Sequence, residues 1–251
     1  MKELVANSID QIRLAVNCDE EYAVDLTCGP LHFDIVVKEN ASLRLEIIRI
    51  KNPVCAATVD GRIDLRKNAK LEVIMVDFNK EDINVDIHSN LQEGAKAIYK
   101  VAATSTGKAK KFYNFHMFHL DPRTTSLVKM AGVLTDDAEL HFLGISDIFK
   151  GSVKANTRQE GKIADLSVHG KAEISPILNI DENDVIASHS AALGKVPDAS
   201  LFYLMSRGLS KKEATSLLTI GYLKPFVMEI SDPKIRNRLL GYVEERGFID
   251  D

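Results

Sequence analysis

One short pattern recurs between Leu31 and Ile186: a polar residue or glycine, then alanine, then a run of alternating character. It reads Asn40-Ala41-Ser42-Leu43, Asn68-Ala69-Lys70-Leu71, Gly94-Ala95-Lys96-Ala97, Asp137-Ala138-Glu139-Leu140 and Lys171-Ala172-Glu173-Ile174. The alanines are 28, 26, 43 and 34 residues apart, a degenerate recurrence that signals a stacked architecture. The runs that follow have period two, as in Leu43, Leu45, Ile47 and Leu71, Val73, Met75. No helical spacing separates them, which argues against a doubly wound α/β sheet. The pattern predicts a solenoid of β coils, with Ala41, Ala69, Ala95, Ala138 and Ala172 at corners where neighbouring coils approach closely. The competing fold is a β-sandwich, whose hairpin turns find only one near match, Asp60-Gly61.

The tail reads as helical. Asp198 can cap a helix ending at Arg207, with Gly208 free to take the left-handed conformation after it. Ser210-Lys-Lys-Glu213 is a capping box for the next helix, with Leu217, Leu218, Tyr222 and Phe226 as its apolar stripe and Pro225 bending or ending it. Asp232-Pro233 starts a last helix that Gly247 ends. Residues 1–30 hold an amphipathic helix candidate in Ile9, Ile12, Leu14 and Val16. The expected organisation is an N-terminal segment over 1–30, a β core over 31–194 and a helical domain over 195–251.

Charge excludes one class of partner. The tail from residue 195 carries 9 Lys/Arg against 8 Asp/Glu and the rest 23 against 28, for a net charge of −4. Neither part has the basic excess that a phosphate backbone needs, so no nucleic-acid role is expected; Lys108, Lys110 and Lys111 beside Phe112 and Tyr113 read as a turn and a strand. No apolar run reaches the roughly 18 residues of a membrane span, and no signal peptide is evident, so the expectation is a cytoplasmic protein with no membrane partner. Cys18, Cys28 and Cys55 show no C-x-x-C spacing and read as reduced, buried small residues. Every Gly-Lys step lacks the following Ser or Thr of a phosphate loop, so the chain binds no nucleotide itself. No G-x-S-x-G occurs either. His116 and His119 lie three apart on a strand, on opposite faces, and cannot chelate one ion.

The stretch from Pro176 to Leu218 carries a resemblance. It contains Pro176-Ile-Leu-Asn-Ile180, Asn183-Asp-Val185, Ala187-Ser188-His189-Ser190-Ala191, Phe202-Tyr203-Leu204 with Ser206-Arg207-Gly208, and Glu213-Ala214 before Leu217-Leu218. In order and spacing this resembles the SufB/SufD family of iron–sulfur cluster assembly scaffolds, whose patterns are P-x-L-E-I, D-D-V, C-S-H-G-A, F-Y-L-x-S-R-G-I-S and E-A-x-x-L-L. Upstream, His119, Thr125, Ser126, Gly132 and Leu134 follow that family's H…T-x-S…G-x-L run, and Phe142-Leu-Gly144 its F-x-G turn.

The resemblance implies a mainly β protein: a right-handed parallel β-helix followed by a small α-helical domain. It implies a non-enzymatic scaffold subunit of the SUF system, working with a SufC-type ABC ATPase. Phe202, Tyr203, Leu204 and Arg207 would form the ATPase dock. A homodimer, or a heterodimer with a SufB-type relative, would form around residues 165–190. His189 is the cluster-assembly candidate, as an iron ligand or proton carrier, with His169 a weaker one; a transient iron–sulfur cluster is the implied cargo. The departures are specific. Ser190 stands where SufB-type members have glutamate, Ala187 where SufD-like members have cysteine, and Gly170 near the place of a SufB-type cysteine. The chain therefore resembles a SufD-like member without the thiolates iron–sulfur chemistry uses. The rival readings are a β-helix adaptor without cluster chemistry and a carbohydrate-active β-helix enzyme; the second lacks a repeated acidic position.

Overall fold

A computed structural model of the chain describes residues 2–5, 11–26, 29–50 and 55–245. Among the described residues, fifteen strands alternate between two sheets. The first sheet stacks β1 (Lys2–Val5), β3 (Glu20–Asp25), β5 (Ser42–Arg49), β7 (Lys70–Asp77), β9 (Lys96–Ser105), β11 (Thr125–Leu134), β13 (Asn156–Asp165) and β15 (Ile186–Gly194). The second stacks β2 (Gln11–Val16), β4 (Gly29–Val37), β6 (Ala57–Leu65), β8 (Ile83–Leu91), β10 (Lys110–His119), β12 (Glu139–Ile148) and β14 (Lys171–Ile180). Each strand pairs in parallel with the strand two ahead of it, so the chain winds as a parallel β-helix and not as a sandwich.

The corners follow from local turn chemistry. Lys38–Ala41, Arg66–Ala69 and Gln92–Ala95 are four-residue turns closed by a backbone hydrogen bond from the alanine N–H to the first carbonyl, at 2.9–3.1 Å. The third residue of each has positive φ: Asn40 at 58°, Asn68 at 56° and Gly94 at 69°. Asn and Gly tolerate this left-handed region best. Asn68 Nδ2 donates to Asn40 Oδ1 of the previous coil at 3.1 Å, adding a side-chain rung between corners. Ala41, Ala69, Ala95 and Ala138 close corners and are buried, as expected. Ala172 does not: it is the second residue of β14, opposite Leu140. Ala109 and Ala155 close two further corners.

Residues proposed as a helix before position 30 are strands β1 to β4 in part. Ile12 and Val16 are buried and Leu14 packs against the core, which is period two; Ile9 lies outside the described residues. Asp60-Gly61 is not a turn but the middle of β6, where a Cβ on Gly61 would sit 2.1 Å from the Phe33 ring. The thiol expectation holds only for the redox state of Cys18, which is a free thiol but exposed in the β2–β3 loop; Cys55, before β6, is held in a disulfide. Cys28 lies outside the described residues.

The helices α1 (Asp198–Ser206), α2 (Lys211–Val227) and α3 (Pro233–Glu245) follow the last coil. Asp198 is the first helical residue of α1, behind Pro197 at the cap, so it serves the positive helix end without a capping bond. Gly208 has φ 96° and Ser210 with Glu213 forms the full capping box. Pro225 sits inside α2, two residues before its end, and Gly247 lies outside the described residues. The buried residues of α2 are Ala214, Thr215, Thr219, Leu223, Phe226 and Val227. Of the expected stripe, Phe226 is buried, Tyr222 is partly buried and Leu217 is exposed. The C-terminal part of α2 and α3 cover the outer face of the first sheet. Leu223, Phe226, Val227, Ile230 and Leu239 pack on Ile48, Ile74, Val76, Ala102, Ala131 and Val133. This is why β5, β7 and β9 end in continuously buried runs while β4 and β6 alternate. Burying each such aliphatic side chain is worth about 1.5–3 kcal/mol. Polar contacts lock the seam: Ser231 N–H donates to buried Glu46 at 2.9 Å, Tyr242 donates to the Phe78 carbonyl at 2.7 Å, and Lys100 bridges Glu72 and Glu229.

Candidate functional site at the open end of the β-helix

The lumen changes character along its length. In the early coils it is apolar, filled by residues such as Val24, Phe33, Leu45, Ile47, Ile63 and Val73. Halfway along, a charged cluster interrupts it. Asp77 accepts from Lys111 Nζ at 3.0 Å and Tyr113 Oη at 2.7 Å, and lies 3.4 Å from Arg49. All three charged side chains are fully buried, and Arg49 also donates to the carbonyls of Cys55, Glu81 and Asp82. Burial lowers the Lys111 pKa from its ordinary value, and burial with the facing Asp77 raises that of Tyr113. Lys111 and Tyr113 therefore point inward, and no basic–aromatic platform forms; Phe112 points outward and stacks on His141 at 4.6 Å.

In the last coils a polar column enters the lumen beside the apolar Val128, Met130, Leu140, Phe142 and Ile163. His119 ends β10 with its ring between the Thr124 and Ser126 hydroxyls, at 2.8 and 2.9 Å. Ser126 meets Thr157 at 2.7 Å, Thr157 meets Ser146 at 2.9 Å, and Gln159 Nε2 donates to Ser146 at 2.8 Å and to the Ile177 carbonyl at 3.1 Å. Burial pushes the His119 pKa down to about 4, so the ring is neutral near pH 7. His116, as expected, faces the opposite way and bonds Asp147 at 2.6 Å. Gly144 is not a turn residue: it lies mid-strand in β12, where a Cβ would come within 3.2 Å of the Gln159 amide. Its missing side chain gives Gln159 room to cross the lumen.

This polar column runs to an open mouth. β14 and β15 end their sheets, each with one edge unpaired among the described residues. Such edges invite another chain. The rim is apolar and exposed, with Ile177, Ile180, Ile186 and Leu193 between 40% and 67% accessible. His189 lies in the middle of β15 and is exposed. Its register partner on β13 is the inward-facing Gln159, and Ala187 and Ala191 flank it on the same column above Thr157 and Gly161. His169 is exposed on the loop between β13 and β14, off that column. The structure thus places His189 at the mouth and does not bring His169 into the same strand face. Among the described residues no group of three or more His, Cys, Asp or Glu side chains is arranged to hold a metal ion. The mouth offers one imidazole.

The proposed dock is a separate surface. Phe202 and Tyr203 on α1 are 75% and 57% exposed, and Met205 beside them is also exposed. Arg207 stacks on Tyr203, its guanidinium 5.2 Å from the ring centre, and donates to its hydroxyl at 3.2 Å. Leu204 is half-buried on the other side of the helix.

Comparison with known proteins decides the family. Residues 6–222 match the family model described as SUF system FeS cluster assembly, SufBD core domain. The chain belongs to the SufB/SufD family. It is 29% identical over 215 residues to the iron–sulfur cluster assembly protein SufD of Bacillus subtilis, covering 85% of this chain and 49% of that protein. A SufBD family protein of Staphylococcus haemolyticus is 27% identical over 211 residues, 81% of this chain and 45% of that protein. SufB of Bacillus subtilis is 28% identical over 114 residues, 45% of this chain and 24% of that protein. The chain spans at most about half the length of these curated relatives. Within this SufB/SufD fold, Gly170 has no space for a cysteine. A Cβ there would lie 2.8 Å from the Ala138 carbonyl oxygen, which accepts the Lys171 N–H.

Sequence reasoning misses the column that leads to the mouth. Thr157, Gln159 and Gly161 share one parity in β13, which is the signal that they face one way. It also misses four histidine–carboxylate pairs on the uncovered face of the second sheet: His32–Asp60, His88–Asp86, His116–Asp147 and His141–Glu173. No described helix is long and apolar enough to cross a membrane.

Proposed function

We propose that this chain is a SufD-like, non-enzymatic scaffold subunit of a SUF iron–sulfur assembly complex. The observation that carries the reading is the open mouth: an exposed His189 framed by apolar rim residues and two unpaired strand edges. A second chain laid on these edges would cover the rim and enclose the imidazole. Iron–sulfur clusters are held chiefly by thiolates, and this chain has no cysteine after Cys55. A homodimer would meet mouth to mouth without a thiolate, so the partner favoured here is a SufB-type relative that brings its own. The cluster is cargo assembled at that seam, with His189 as a neutral nitrogen donor to iron or a carrier of its protons. A SufC-type ABC ATPase docks on the exposed Phe202, Tyr203 and Arg207 surface and supplies nucleotide hydrolysis, for which this chain has no motif of its own. The compartment in this reading is the cytoplasm.

The test is co-expression with a SufB-type relative and a SufC-type ATPase, followed by size measurement and reconstitution with iron and sulfide. A ternary complex that gains a cluster spectrum supports the reading. A complex that forms but never holds a cluster makes the chain an adaptor. A chain that stays monomeric with both partners present ends the proposal.

A further inference from the structure

Among the described residues, the lumen holds two buried side-chain atoms without a hydrogen-bond partner, Arg49 Nε and the Gln159 carbonyl oxygen Oε1. Gln159 is 1% exposed, and its amide cannot be turned over. Nε2 lies 3.1 Å from the Ile177 carbonyl, an acceptor only, so the nitrogen must face it. The serine hydroxyl at 2.8 Å accepts the second proton of that nitrogen. Oε1 is therefore held in one orientation as an acceptor that lacks a donor. A buried orphan of this kind is costly and calls for an explanation.

The next residue up the same inward column is His189, paired in register with Gln159 on the adjoining strand. No hydrogen bond reaches its ring among the described residues, and small neighbours at Ala187 and Ala191 leave the ring free to change rotamer. An acceptor without a donor thus lies one rung from a ring with an N–H to give. We propose that Gln159 is the positioning residue for His189: its Oε1 accepts one imidazole N–H, fixing the tautomer and turning the other nitrogen's lone pair out of the mouth. Carbonyl partners hold functional histidines in this way, since the bond at one nitrogen decides the state of the other. Gly144 is part of the device, because a Cβ there would press on the amide carbon and Oε1 at 3.2 Å and shift them.

The inference deepens the reading of the mouth as the assembly site, but its test does not depend on cluster chemistry. The experiment is long-range 1H–15N correlation NMR of the His189 ring in the intact chain, near pH 7.5, with His189→Gln identifying the signal. The expected result is one protonated and one unprotonated nitrogen in the wild type. Gln159→Met, matched in length but without the acceptor, should lose that single state and show the averaged tautomer mixture of a free imidazole. Gly144→Ala, which touches neither residue's identity, should move the ring signals in the same direction while circular dichroism shows the fold intact. A single tautomer that persists in folded Gln159→Met, or a mixed tautomer already in the wild type, overturns the proposal. Loss of cluster yield in His189→Ala with no tautomer change in Gln159→Met would keep the site and remove Gln159 from it.

Discussion

Replacing His119 with glutamine should flatten the acid branch of the stability curve. The ring is fully buried between two hydroxyls, with its pKa lowered to about 4 from 6.5 by burial alone. In the unfolded chain the imidazole takes up a proton below pH 6.5; in the folded chain it resists until about pH 4. The unfolded state therefore binds more protons across that window, and stability falls as pH drops through it. The contribution is complete above pH 6.5 and lost progressively down to about 4. Each pH unit of the gap is about 1.4 kcal/mol, so the full loss is about 3 kcal/mol, most of it gone by about pH 4.5. Carboxylates titrate in the same range but are common to both proteins, so the difference between wild type and His119→Gln isolates the ring. Urea unfolding by circular dichroism at pH 7.5, 6.0 and 4.5 measures it. The wild type loses stability faster than the variant as pH falls, so the difference between the two shifts toward the variant by most of that amount. Two curves that run parallel from pH 7.5 to 4.5 would refute the assignment of His119 as a buried neutral ring.

Asp77→Ala should cost about 3–5 kcal/mol in urea unfolding, because Arg49 and Lys111 would stay buried without their carboxylate; a loss under about 1 kcal/mol would mean water already screens the cluster. Lys154, at φ 61° before Ala155, should gain about 0.5–1 kcal/mol on replacement by glycine, read as a higher Tm. Phe202→Asp with Tyr203→Asp should leave unfolding within about 0.5 kcal/mol of wild type, since both side chains are exposed, and should abolish pull-down of the ATPase; retained pull-down would move the dock elsewhere.

The corners are legible in the sequence because their chemistry is local. Asn40, Asn68 and Gly94 announce left-handed turns whatever surrounds them, and the alanine after each closes the turn. Ala172 misleads because its Lys-Ala-Glu context copies the corner pattern inside a strand. The lumen of the last coils is opaque for a different reason. β13 reads Asn-Thr-Arg-Gln-Glu-Gly-Lys, polar at both parities, so hydrophobic alternation cannot say which side faces inward. The buried face of α2 is hard to read because Thr215 and Thr219 hide their hydroxyls on the carbonyls of Lys211 and Thr215 and so pack as small apolar groups. Leu217, apolar on paper, lies outside. The flanks of His189 single it out only as a candidate; that it stands above Gln159 at an open lumen needs the register.

The most direct test of the central claim is cluster yield on the ternary complex carrying His189→Ala. His189 is exposed and makes no hydrogen bond among the described residues, so the complex should assemble with unchanged stoichiometry and Tm. The account predicts that iron and sulfide retention then falls at least about tenfold, with the absorbance of the reconstituted cluster lost. Wild-type yield on a normally assembled His189→Ala complex would contradict it and leave the mouth of the β-helix a contact surface alone.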